Sequence, residues 1–206
     1  MAEEEKDLFS TWQDLSKYKE MRVNETSGLL EVQNEKGFRK PVSCLDKKGK
    51  TVIPFHDWLM FDQKSGMYEA GKEIEGKMSY GFYDCKGRVV IDLAYQTIRY
   101  LSKAQMFLIV DWNGNHGLLN KKGKIIIPVE YALIGYLGLK AFRVQRKDGL
   151  EAVFNREGIM LHVSFCKIVE IKTGDDVLSI VTKTGRQKRL HVLVPRSGIP
   201  TKLILV

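Results

Sequence analysis

The sequence predicts an all-β array of about four to five repeat units, each a hairpin or three-stranded sheet, with a short N-terminal helix in front. Three observations predict it. A polar turn ending in glycine recurs at a nearly fixed interval. A β-branched strand follows most copies. Several apolar columns keep their distance from the turn. The unit count leaves both an open curved sheet and a closed, propeller-like ring available. Residues 1–28 are read as helix and linker, and residues 29–206 as the repeat domain.

The helix is read over residues 5–20. Leu8, Phe9, Trp12, Leu15 and Tyr18 fall on one stripe, with acids in the first turn. Such a helix caps the open end of an array, or, through Leu8, Trp12 and Leu15, docks into a partner's groove. Residues 22–29, including Asn24, Ser27 and Gly28, read as the linker.

The turn appears as Leu45-Asp-Lys-Lys-Gly-Lys50, Tyr83-Asp-Cys-Lys-Gly-Arg88, Leu119-Asn-Lys-Lys-Gly-Lys124 and Phe154-Asn-Arg-Glu-Gly-Ile159. The glycines are spaced 38, 36 and 35 residues apart, and a weaker copy ends at Gly198. Asp or Asn caps its own backbone, and glycine accepts a positive φ, so each copy is hairpin chemistry. A strand follows: Thr51–Ile53, Val89–Ile91, Ile125–Ile127, and Met160 with Leu161. Pro54 and Pro128 lack a donor and are expected to stop the ladder. The columns Tyr95, Tyr131 and Phe165, then Ile98, Ile134 and Ile168, then Leu101, Leu137 and Ile171 follow at three-residue steps. That spacing fits a single helical or 3₁₀ turn, or a curved crossover. An alternating strand and a second glycine turn complete the unit at Met106–Val110, Ala141–Gln145 and Val177–Val181. One unit has too few large apolar side chains to offset the entropy of ordering itself, so neighbours must share faces.

These residues resemble the bacterial WG repeats. The closest copies are Tyr80-Gly-Phe-Tyr-Asp-Cys-Lys-Gly-Arg-Val-Val-Ile91 and His116-Gly-Leu-Leu-Asn-Lys-Lys-Gly-Lys-Ile-Ile-Ile-Pro128, and the resemblance covers roughly residues 30–182. The Trp of the family's Trp-Gly step is Tyr80 or His116 here, and the step is lost at Glu151-Ala152. The resemblance implies an all-β array without known catalysis, used for scaffolding or recognition.

Composition sets the outer limits. With 44% apolar and 28% charged residues, the chain has globular rather than disordered proportions. Apolar stretches such as Ile125–Val129 are strand-sized, so no membrane span is expected. The acidic opening lacks an apolar h-region, so no secretory signal is expected of it. Cys44, Cys85 and Cys166 are few, odd in number and far apart, which points to the reducing cytoplasm rather than a disulfide framework. The net charge is +8, with Lys183, Arg186, Lys188, Arg189, Arg196 and Lys202 crowding the C-terminal end. These bases either solvate an edge strand or favour an acidic partner.

No motif asks for catalysis, a metal or a cofactor. His56, His116, His162 and His191 have no ligand spacing, and His116 and His162 occupy repeat columns. Asp111-Trp-Asn-Gly-Asn115 reads as a hairpin turn, because the Glu that completes a calcium loop is missing. The turn bases Lys47, Lys48, Lys50, Lys86, Arg88, Lys121, Lys122 and Lys124 hold equivalent places and would line one rim. With Arg186, Lys188 and Arg189 they form the expected partner or polyanion surface. The leading expectation is a non-catalytic, cytoplasmic protein–protein interaction module, an accessory subunit of a larger bacterial assembly. The alternative is a basic nucleic-acid-binding accessory protein. An enzyme with an unfamiliar site stands third.

Overall fold

The computed structural model describes residues 15–36, 40–138, 141–164, 168–174, 177–182 and 187–191, with side chains described as far as residue 161. All regular structure among them is β, in antiparallel sheets whose strands lie in chain order. The chain divides into two compact units, residues 1–98 and 99–206.

In the first unit, β1 (Glu20–Asn24), β2 (Leu29–Gln33), β3 (Val42–Leu45) and β4 (Thr51–His56) form one four-stranded sheet. The next comprises β5 (Trp58–Asp62), β6 (Met67–Ile74), β7 (Lys77–Tyr83) and β8 (Val89–Tyr95). Around the second unit come β9 (Thr97–Leu101), β10 (Met106–Val110), β11 (His116–Asn120) and β12 (Ile125–Tyr131). The fourth sheet is β13 (Leu133–Gly138), β14 (Ala141–Gln145), β15 (Glu151–Asn155) and β16 (Met160–Ser164). A last sheet holds β17 (Ile168–Gly174), β18 (Val177–Thr182) and β19 (Gln187–His191).

Sheets pack in pairs through alternate faces. In the first unit Leu29, Cys44 and Ile53 meet Leu59, Tyr68, Ala70 and Tyr83 of the next sheet. In the second, Met106, Leu118 and Ile127 meet Ile134, Phe142, Val144, Ala152 and Phe154. Side chains alternate across a pleat, so each strand supplies every second residue to this contact.

Four β-turns share one geometry. Oδ1 of the cap accepts two backbone N–H groups: from Lys48 and Lys50 at Asp46, 2.8 and 2.9 Å, and from Lys86 and Arg88 at Asp84, both 2.9 Å. Asn120 and Asn155 do the same for Lys122 and Lys124, and for Glu157 and Ile159. The glycine then donates to the cap's carbonyl at about 3 Å. Gly87 and Gly158 do more than accept a positive φ. A Cβ on Gly87 would strike the carbonyl oxygen of Val52, and one on Gly158 that of Ile126. The turn of one sheet therefore rests directly on the edge strand of the sheet before it.

A second small-residue column lies just upstream. Tyr80 pairs with Tyr95 and Phe82 with Ile91, so three residues, 92–94, bulge opposite Gly81. The same bulge at 128–130 faces Gly117. A Cβ on Gly81 would sit 2.6 Å from the Ile91 oxygen, and one on Gly117 2.7 Å from Val129 Cγ2. Opposite Ser43 only residues 54 and 55 bulge, and its hydroxyl donates to the Ile53 carbonyl at 2.7 Å. At Ala152 the pairing is regular through Val153, and a methyl fits. The glycine of the Trp-Gly step is thus a clearance requirement set by the depth of the bulge.

Three expectations are corrected. Pro54 and Pro128 do not end their strands. They sit inside the bulges of edge strands, where no ladder donor is needed, and pairing resumes at His56 and Tyr131. The steps from Tyr131 to Ile134 to Leu137 are no helical turn. Tyr131 closes β12, Ala132 breaks the strand, and the other two belong to β13, so each of the first four sheets has one strand more than the three-stranded unit expected. The linker expected over residues 22–29 holds the end of β1, whose Val23 lies opposite Leu30, then a turn in which Gly28 donates to the Asn24 carbonyl, and the first residue of β2. Of the N-terminal helix, residues 5–14 lie outside the described residues. Its last part is a turn, with Tyr18 N donating to the Leu15 carbonyl, and Leu15 and Tyr18 pack on Leu30, Val32 and Leu45.

Substitution separates the two demands on the turn glycines. Gly114 and Gly149 share the positive φ but face open space, so alanine there should cost about 1 kcal/mol. Gly87→Ala and Gly158→Ala should cost roughly 1–3 kcal/mol more, through collision with the facing carbonyl. Equal losses at all four positions in urea unfolding would remove the inter-sheet contact as the explanation.

Candidate interaction surface

The sequence singled out bases at the turn tips, and the structure places them at equivalent positions. Lys47, Lys48, Lys50, Lys86, Arg88, Lys121, Lys122 and Lys124 are all exposed. Arg88 Nε is held by Asp84 Oδ2 at 2.6 Å. Burial works upward on the Asp84 carboxyl, yet the backbone and side-chain donors of Arg88 hold it below the usual carboxylate range. In the first unit the Gly87–Val52 contact brings the turns at 46–50 and 84–88 together. In the second, the Gly158–Ile126 contact does so for those at 120–124 and 155–159. Lys188 and Arg189 lie on β19, Arg186 outside the described residues. Leu8 and Trp12 also lie outside them, and Leu15 is committed to the first sheet's outer face.

Apolar residues share these tips. Val89, Ile125, Ile159 and Met160, beside the turn on the edge strands, are about half exposed. The adjacent backbone is stiff, because every tip is capped within itself and two of them rest on a neighbouring strand.

Between the sheets lie polar groups that sequence reasoning missed. In the first unit Tyr68 donates to Glu31 Oε1 at 3.2 Å, Asn24 Nδ2 donates to the same oxygen at 2.9 Å, and Ser27 Oγ lies 2.7 Å from the Tyr68 hydroxyl. Burial raises the Tyr68 hydroxyl far above its ordinary value and pushes the Cys44 thiol up to about 12, which leaves Cys44 an inert core residue. His56 is buried with neither ring nitrogen hydrogen-bonded among the described residues, and its ring meets that of Tyr83 at a tilt, centroids 5.1 Å apart. Tyr131 meets Phe154 edge-on at the equivalent place, centroids 5.9 Å apart. His56 therefore stands in an aromatic column, a role legible only once the strands are aligned through their bulges.

Arg143 and Glu151 were also missed. Both carboxylate oxygens of Glu151, which is 3% exposed, accept from Arg143 Nη2 at 2.6 and 2.8 Å. The pair lines an open cleft of about 510 Å³ with Leu133, Gly135, Tyr136, Leu137 and Gln145. Glu151 occupies the aromatic position of the Trp-Gly step, so the departure already noted there was the available signal. Among the described residues no cluster of three or more His, Cys, Asp or Glu is arranged to hold a metal. The Asp111–Asn115 segment is a hairpin turn, with Asp111 Oδ1 accepting from Asn113 and Asn115 N at 2.8 Å each.

The fold and its capped turns define a β-repeat array protein. Residues 117–136 match the family described as WG containing repeat, spanning β11, its turn, β12 and the start of β13. The match falls where a clearance glycine, an Asn-capped turn and a proline bulge all coincide. No curated protein matches the chain. Among solved structures, the computationally designed Ika8 protein is similar at a TM-score of 0.34 and 10% identity, over 85% of this chain and 58% of that one. BamB from Moraxella catarrhalis is similar at 0.33 and 13%, over 88% and 61%. The Cps50 (Swd1) beta-propeller domain from Myceliophteria thermophila is similar at 0.34 and 11%, over 90% and 68%. The chain spans less than two thirds of the first two, and TM-scores this low establish neither sheet arrangement nor function.

Two titration and pairing tests follow from the buried groups. Burial, then the nearby Lys72, lowers the pKa of His56 from 6.5 against a weaker opposing pull from Asp57. The neutral ring's contribution to stability is then complete above about pH 6.5 and is lost as pH falls towards the depressed folded value. Glu69 works in the opposite sense, since burial raises its carboxyl to about 7 and its protonated form suits the fold. Replacing His56 by Phe isolates the first effect: the variant's urea midpoint relative to wild type should climb steadily from pH 7 to pH 5. A constant difference would show that His56 does not titrate on unfolding. For the ion pair, Arg143→Met removes two charge-assisted hydrogen bonds from a buried carboxylate and should cost about 1–3 kcal/mol, less than breaking a fully buried pair because Arg143 is one-third exposed. Adding Glu151→Gln should recover part of that loss in the same assay. No recovery would mean that Arg143 does not act through the Glu151 charge.

Proposed function

We propose that the chain is a non-catalytic protein–protein interaction module, an accessory subunit of a larger assembly. The observation that carries this reading is the placement of charged and half-exposed apolar side chains on self-capped turn tips, while within each unit the facing sheets pack through layers of buried side chains. A recognition surface wants such pre-organised display. The three scattered cysteines, with Cys44 and Cys85 both free thiols, suit a reducing cytoplasm. A second reading, binding of nucleic acid, is favoured by one observation: Lys47, Lys48, Lys50 and Lys86 lie on two adjoining tips of the first unit.

Affinity purification of the tagged full chain from its native host, at physiological salt and after nuclease treatment, should retain a protein partner in stoichiometric amount. Absence of such a partner overturns the first reading. Under the second, duplex binding across four phosphates should weaken with a log–log salt slope of roughly −3.6.

A further inference from the structure

The two turn tips of the second unit differ from those of the first in a way that points to a partner. Lys121, Lys122 and Lys124 stand exposed on the tip between β11 and β12. Gly158 rests on the Ile126 carbonyl, which brings the tip at 155–159 beside them. Around this joint Ile125, Ile159 and Met160 are 51%, 45% and 51% exposed. The caps are the neutral Asn120 and Asn155, where the first unit uses Asp46 and Asp84. Four cations, counting Arg156, thus face a single acid, Glu157, which lies 3.9 Å from Arg156. In the first unit the place of Ile125 is taken by Thr51.

Solubility accounts for lysines at an edge strand but not for three large apolar side chains between them. We infer that this rim of the second unit is a docking surface for an acidic protein segment carrying aliphatic or aromatic anchor residues, the apolar centre being Ile125, Ile159 and Met160 and the steering rim the lysines. Charge complementarity selects that occupant. A second copy of the same rim is repelled by its own excess positive charge. Single-stranded nucleic acid needs exposed rings for its bases, and the unit's exposed Trp112 sits on the turn between β10 and β11, at the opposite end of its sheet, while a duplex backbone would leave the apolar centre unused. Strand addition along β12 is obstructed where Gly158 covers the Ile126 carbonyl, so the segment lies across the tips.

The inference rests on the interaction-module reading and specifies its surface. Its test is selection of a phage-displayed random peptide library on the full chain, with counter-selection on the double variant Lys122→Glu/Ile125→Ser. These exposed positions leave the core intact, which thermal melting checks. Peptides retained by the wild type should carry several acids around apolar residues, and the variant should bind them at least about tenfold more weakly. Met160→Ser alone should weaken the same peptides, while Lys48→Glu in the first unit should not. A consensus without acids, or binders indifferent to the double variant, overturns the inference. So does an oligothymidine that binds tighter than the peptides and loses affinity on the same substitutions, or self-association that those substitutions abolish. If affinity purification recovers a partner that the double variant still holds, the surface is wrong and the interaction-module reading stands. If it recovers none, that reading falls as well.

Discussion

Two backbones touch wherever the structure shows a turn glycine against a carbonyl of the preceding sheet, at Gly87 on Val52 and at Gly158 on Ile126. Any Cβ at that point would push the sheets apart. Their shared cores are thin layers, in which Ile53 faces the Tyr68 side and Ile127 the Phe142 side. A wider gap would forfeit the dispersion contacts of the whole layer, because these fall steeply with separation. The Asp or Asn cap makes the approach possible by holding the turn flat against the neighbouring strand. Turn chemistry and core packing are consequently one device in this protein.

The same economy governs the small-residue column. Ser43, Gly81, Gly117 and Ala152 look unrelated, yet each fills the space that its facing strand leaves. Where three residues bulge, nothing but glycine fits. Where two bulge, a serine fits and adds a hydrogen bond to Ile53. Where pairing stays regular, alanine is accommodated. Degeneracy of the repeat at these positions is thus a matched variation of bulge and side chain.

Period, turns and β character were legible in the sequence because they depend on local chemistry: a cap, a glycine and β-branched residues. The strand boundaries were less so. Bulges at Pro54 and Pro128 break the alternation that marks a strand, and the three-residue steps through Tyr131, Ile134 and Leu137 imitate a helix although a strand break lies between the first two. The basic tips could be read directly, since equivalent lysines must occupy equivalent places. The joint that unites them in pairs could not, because it is a contact between a glycine with no side chain and a carbonyl carrying no sequence signal. Glu151 and His56 were hidden for a related reason. Each sits in an aromatic column without being an ordinary member of it, and only the facing Arg143 or Tyr83 explains its presence.

Single residues, Asp57 in the first unit and Ala132 in the second, carry the chain from the last strand of one sheet to the first strand of the next. Joints that short leave no slack. A loop lengthened there would free one layer to slide on another, whereas a side chain added at Gly114 or Gly149 would meet open space. Room for novelty in this architecture therefore lies at those unencumbered ends, where extra sequence can be grafted without disturbing the spacing of the layers.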